Sequence, residues 1–260
     1  EFFRVFFENR KIMGIDDTRP TVLPFEEQFE IQRQKFNAMN WNSKKEFYMI
    51  GTDHSRYQVW QPGWVGGSMS GYALMKLGGE LECQRQMKTL DFLFSTQTEC
   101  GLYASIVDDE GNTYGDAFGS AGADHWHLIR KSADVLYFLF KQFAWMTERG
   151  KEIPHLYTAG ARKTADCFVN LWKKYGQFGQ FVDIHTGAIC VGGSVCGGII
   201  PAGLAKASVF FHDSAYLKTA EESAEFYYQN YFSKGYTTGG PGEILQGVDS
   251  ESTVALLESF

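Results

Sequence analysis

Two kinds of helical stretch alternate along the chain. One kind is apolar nearly all round or built from small residues: residues 65–77 (VGGSMSGYALMKL), about 127–149, 194–211 (SVCGGIIPAGLAKASVFF) and the stretch opening at Ser250. The other kind has one apolar and one charged face: residues 80–98, 158–175 and 213–231. In 127–149, Ala133, Leu136, Tyr137, Phe140, Phe143 and Ala144 recur at three- and four-residue steps, the period of a helix. A glycine inside a helix costs about 1 kcal/mol against alanine, so close packing must offset Gly66-Gly67 and Gly197-Gly198. Pro201 predicts a kink in 194–211. Strand-like alternation is confined to 102–107 and 181–184, and residues 25–39 are a charged, helix-favouring stretch. The fold class predicted is all-α.

The apolar stretches return about every 60 residues, a period belonging to stacked helical hairpins. Long loops precede each apolar helix, and short connections join it to the next charged-face helix. An inner ring of apolar helices inside an outer ring would bring every long loop to one end. That end also holds the inner helices' N-termini, with free amides and positive dipole ends. The repeat begins at about Trp60, inside a single expected domain over 1–260. A start at Glu1 and a stop at Phe260 within an apolar helical pattern suggest a segment of a longer protein.

Composition narrows the functional classes. A formal charge of −7 argues against a nucleic-acid binder, which needs a basic face to displace counterions. No apolar run reaches the roughly 18 residues of a membrane span. The five cysteines have no CxxC pair, so no zinc knuckle or disulfide framework is indicated. No metal or cofactor is expected, and the glycine pairs match no phosphate-loop pattern. Nothing in the sequence fixes oligomeric state or localisation.

The polar residues that are not ordinary loop filler gather on the long loops. In 239–252 (GGPGEILQGVDSES) a glycine-proline turn delivers Glu243, Asp249 stands as an N-cap, and Glu251 falls in a first helical turn. Asp124, His125 and His127 surround Trp126, while Asp183 and His185 lie on another loop. Trp60 and Trp64 offer faces that stack on sugars or pack in a core. Arg130 offers a fork for a substrate carboxylate or a helix-surface ion pair. Asp134 is a candidate acid or a partner for Arg130 or Lys131 on the neighbouring turn. Carboxyl groups gathered in this way suit general acid–base work. Glu243, Glu251, Asp124 and Asp134 are thus the catalytic candidates, and Trp60, Trp64, His125, His127, Arg130, Asp183, His185 and Asp249 the substrate-binding ones.

The stretch GWVGGSMSGYALMKLGG with its alternating partners, and the loop-plus-helix GGPGEILQGVDSESTVALLESF, resemble the six-hairpin glycosidases, (α/α)6 toroids. The bacterial uronidases among them, β-glucuronidases and unsaturated uronyl hydrolases, are nearest in character. The resemblance spans about Trp60 to Phe260, three and a half hairpins of six. It implies an incomplete toroid and a glycoside hydrolase acting on polysaccharide or oligosaccharide fragments, uronic-acid-containing ones included. It also implies a periplasmic or secreted bacterial setting, and Asp134 matches by context the aspartate that unsaturated uronyl hydrolases carry on an inner helix. Alternatives are a polysaccharide lyase on the same toroid and a non-catalytic repeat scaffold binding glycans or peptides.

Overall fold

The computed structural model describes residues 4–5, 8–9, 11, 23–63, 68–117, 122–239 and 247–260. Where one domain is expected, the chain groups into two compact units, Glu1–Lys35 and Phe36–Phe260. In the first, helix α1 (Phe25–Lys35) opens on Glu26 and Glu27 and closes with Arg33 and Lys35, charges that complement the helix dipole. None of its residues is buried.

The second unit opens with a π-helical turn, Phe36–Asn40, and a small hairpin pairing β1 (Trp41–Asn42) with β2 (Phe47–Tyr48). Seven helices follow: α2 (Met69–Leu77), α3 (Glu80–Ser95), α4 (Ile129–Glu148), α5 (His155–Tyr175), α6 (Ile200–Phe211), α7 (Ser214–Asn230) and α8 (Glu251–Ser259). Contacts link α2, α4, α6 and α8 in succession, and likewise α3, α5 and α7. Each outer helix also packs on its hairpin partner. This is a two-layer array of three hairpins and the inner helix of a fourth, as the alternating pattern predicts.

The chemistry of the inner layer follows from its burial. Every residue from Ile129 to Tyr137 is buried, the mark of a helix covered on all sides. Small residues allow the approach: a Cβ on Gly203 of α6 would lie 3.2 Å from Leu136 Cδ2 of α4. In the outer layer, a Cβ on Gly160 would come within 2.5 Å of the Phe94 ring. That ring stacks on Tyr157, centroids 4.8 Å apart. Caps set the outer boundaries: Asp213 accepts from Ala215 N at 2.9 Å, and Gly176 ends α5 in the left-handed region at φ 62°.

Two expectations need correction. Residues 194–199 form turns, and Pro201 sits in the first turn of α6 rather than at a kink. A proline there removes no intrahelical hydrogen bond. His127 does not start a helix. It lies on β5 (Trp126–Leu128), which pairs with β6 (Phe181–Asp183), itself paired with β7 (Ile189–Val191). The further short pair is β3 (Ile106–Val107) with β4 (Thr113–Tyr114).

Candidate active site at the inner-helix N-termini

The loops before α6 and α8 are tied together at the N-terminal end of the inner helices. Val195 N donates to Thr238 O at 2.9 Å, and Asp249 N to Thr237 O at 3.1 Å. From α4, Arg130 Nη1 reaches the backbone oxygen of Glu251 in the first turn of α8, at 3.4 Å. Three inner helices therefore share one polar end.

Asp134 is the centre of this end. One turn along α4 from Arg130, it is fully buried, and its Oδ1 accepts from Arg130 Nε at 2.7 Å. Its Oδ2, equally buried, has no partner among the described residues. Burial raises its pKa to about 6 against the pull of the Arg130 guanidinium, and the Glu251 charge adds to the rise. A carboxyl held at one oxygen, free at the other and titrating near neutrality is equipped to donate or accept a proton.

The surroundings repeat the pattern of unfilled polar atoms. Asp249 Oδ2, Ser252 Oγ and Thr238 Oγ1 are buried without partners among the described residues. Asp249 Oδ1 accepts from Ser252 N at 2.6 Å, so this side chain caps α8 from one position before the N-cap Ser250. Cys196 lies beside Arg130, its thiol pushed up to about 12 by burial. Gly63, at φ 87°, brings the preceding loop over α4: a Cβ there would sit 3.7 Å from Asp134 Cβ and 3.2 Å from Lys131 O.

The flank of α4 toward β5 carries a second polar network. Lys131 Nζ donates to Asp116 and, at 3.0 Å, to Ser105 O. Asp116 Oδ2 also accepts from Leu128 N at 2.7 Å. His127 bridges Ser105 Oγ at 2.7 Å and Ser132 Oγ at 2.8 Å. Burial lowers its pKa to about 4, so the ring is neutral.

The predicted residues divide accordingly. Asp134, Arg130, Glu251 and Asp249 come together, with Glu251 half-buried. Arg130 is neither a surface ion pair nor a free clamp, being buried and committed to Asp134. His127 is wholly buried with both ring nitrogens bonded to serine hydroxyls, and Trp60 is wholly buried in the core. Trp60 packs edge-on against Phe92 within the core. Asp124 and His185 line a separate hollow of about 430 Å³ with Thr98 and Tyr114. His125 lies 3.8 Å from Asp183, whose Oδ1 is occupied by the amides of His185 and Thr186. Trp64 and Glu243 lie outside the described residues. Among the described residues no group of three or more metal-ligating side chains is arranged to hold an ion. Ser194, Cys196 and Thr238 are marked in the sequence only by their place ahead of an inner helix, and Ser252 only by its place in the first turn of α8. A hollow of about 680 Å³ across α2, α4 and α6, lined by Tyr72, Tyr137, Lys141 and Lys206, contains none of the predicted residues.

No family model matches the chain, and no curated protein matches it significantly. Among solved structures, a polysaccharide lyase superposes with a TM-score of 0.50 at 17% identity, covering 73% of this chain and 56% of that one. The chain shares the all-α toroid fold over the matched part, with three hairpins and the inner helix of a fourth among the described residues. A D-mannose isomerase matches at 12% identity and a TM-score of 0.49, over 79% of this chain and 53% of that one. An unsaturated glucuronyl hydrolase from Bacillus sp. GL1 matches at 16% and 0.46, over 74% and 52%. The chain thus spans little more than half the length of these toroid proteins. No helix among the described residues is long and apolar enough to cross a membrane.

Proposed function

We propose that this chain belongs to a carbohydrate-active enzyme that cleaves a polysaccharide or oligosaccharide by carboxyl acid–base chemistry, with Asp134 as the proton-transferring group. The observation that carries the reading is the state of Asp134: buried, fixed at Oδ1 by Arg130, unpartnered at Oδ2 among the described residues and raised to about 6. Departure of a sugar oxygen needs a proton, and a carboxyl near neutrality supplies one and takes one back from water. Arg130 orients that carboxyl. The second carboxyl of a hydrolase is assigned to Glu251 or to Glu243, on the segment that continues from Gly239. Gly239 abuts Ser194, a Cβ there falling 2.7 Å from Ser194 Oγ. Asp249 is assigned to shaping the end of α8. Uronic-acid-containing glycans are the proposed substrate class, recognised by cations other than Arg130.

The lyase reading keeps the same site with a different outcome, since the matched toroid is named a polysaccharide lyase. His127 is a poor base for it, being neutral, enclosed and hydrogen-bonded at both nitrogens. The deciding experiment assays the protein on a panel of uronic-acid and neutral glycans, with Asp134→Asn and Glu243→Gln beside the parent chain. Hydrolysis yields new reducing ends alone, whereas elimination adds an ultraviolet-absorbing double bond. Asp134→Asn is expected to lower kcat about 10²–10⁴-fold while glycan binding persists. Unchanged turnover in that variant removes Asp134 from the mechanism. Binding without turnover by the parent chain leaves the scaffold reading.

A further inference from the structure

Away from the inner-helix end, two cysteines of distant sequence position meet on the outer layer. Cys100 follows α3 on the loop before β3, and Cys167 lies in the middle of α5. Both line a hollow of about 330 Å³ together with Lys163, Asp166, Lys174 and Thr186. The two thiols adjoin closely enough that each shifts the other's acidity, Cys100 downward and Cys167 upward. Both are free thiols. Gly187 closes the hollow's floor: a Cβ there would lie 3.8 Å from Cys167 Sγ and 4.0 Å from Cys100 Cβ. Cys100 is half-buried and Cys167 buried, so an incoming reagent meets Cys100 first.

We infer that Cys100 and Cys167 form a redox-active dithiol, a site for thiol–disulfide exchange with small disulfides of the glutathione type. The Cys100 thiolate attacks one sulfur of the small disulfide, forms a mixed disulfide and expels one thiolate. The Cys167 sulfur, once deprotonated, attacks the Cys100 sulfur and expels the second. The protein loses two electrons and two protons, and the small disulfide leaves as two thiols. Division of labour follows from the environments. The adjoining Cys167 side chain lowers Cys100 to about 6, against burial, making it a thiolate near neutral pH, whereas Cys167 is pushed up.

The disulfide alters the rim loops as well. As a thiol, Cys100 donates to Ile184 O at 3.1 Å and contacts Thr98 Oγ1 at 3.3 Å. Ile184 N in turn donates to His125 O at 2.9 Å. Ile184 and Thr98 both line the hollow that holds Asp124 and His185. The crosslink therefore ties α5 to the loop after α3, next to that hollow.

The experiment incubates the folded protein with glutathione disulfide, blocks remaining thiols by alkylation and maps the five cysteines by mass spectrometry. The parent chain is expected to lose two alkylatable thiols and to yield one Cys100–Cys167 crosslinked peptide. Cys167→Ser should stop at the mixed disulfide and accumulate glutathione on Cys100. Cys100→Ser should leave Cys167 alkylatable only after unfolding. In Cys167→Ala, where the side chain that lowers Cys100 is gone, formation of the mixed disulfide should need a higher pH than the initial attack in the parent chain. Five alkylatable thiols after treatment of the parent, or a crosslink to a different cysteine, overturns the inference. These readouts do not depend on glycan turnover, so they stand or fall separately from Asp134.

Discussion

Helix α4 presents two buried polar networks barely one turn apart, and they are built on opposite principles. Around Lys131, Asp116 and His127 the charge and both ring nitrogens have partners, and Asp116 is bonded at both oxygens. Around Asp134 the pair with Arg130 is made, yet Asp134 Oδ2, Asp249 Oδ2, Ser252 Oγ and Thr238 Oγ1 are left open among the described residues. A buried polar atom without a partner costs about 1–3 kcal/mol, so four at one end point to something that fills them. The closed network fixes where α4 begins; the open one leaves buried polar atoms unpaired among the described residues.

Stability separates the two most sharply. Asp116→Ala strands a buried ammonium and should destabilise the fold by about 3–5 kcal/mol in denaturant titration. A loss under about 1 kcal/mol, no more than an exposed ion pair contributes, would show that the closed network is no scaffold. The pH dependence of stability gives the next largest effect, because the two networks act with opposite sign. Asp134, raised to about 6 from the ordinary 3.8, keeps in the folded chain a proton that the unfolded chain has lost. Its contribution therefore falls as pH rises from about 4 to 6. His127, lowered from 6.5 to about 4, stays neutral in the folded chain while the unfolded ring is protonated. Its contribution therefore rises with pH across nearly the same window. The parent chain should show a nearly flat profile there. Asp134→Asn should show stability climbing by roughly 3 kcal/mol, since each pH unit between the folded and unfolded pKa of His127 contributes about 1.4 kcal/mol. A flat profile in that variant would mean that the two groups do not oppose each other. Smallest is Glu251→Gln, which removes a like charge acting on Asp134. The acidic limb of activity should move down by a few tenths of a pH unit, and an upward move would contradict the arrangement.

Much of the architecture is legible in the residues, because helical period and small-residue content depend on local sequence. The alternation of inner and outer helices and the cap at Asp213 fall in this class. The helical spacing of Asp134 from Arg130 and Lys131 allows a pair with either, and the structure makes the one with Arg130. The depth of that pair is not local. It is set by Gly63, by the turn at Ser194–Cys196 and by α8, which are brought in from far along the chain. Spacing therefore gives no ground for ranking Asp134 above Asp124, which is exposed in the structure. His127 and Trp60 misled for a related reason: histidine and tryptophan near glycine-rich loops look like ligand contacts, yet each is enclosed by strand or bridge pairing. His127 is held by β5 against β6, and Trp60 by backbone bonds to Val107 at 3.0 and 3.2 Å.

The hydrogen bond from Arg130 to the Glu251 backbone closes across 121 residues. The hairpins of α2–α3, α4–α5 and α6–α7 join neighbours in sequence and can form as the chain leaves the ribosome. The polar end cannot, because α8 contributes to it. Closure over so long a separation is slow relative to local hairpin formation, so a nascent chain would acquire its shape well before its chemistry. In a nascent chain Arg130 and Asp134 therefore lack their α8 neighbour until synthesis has passed α8.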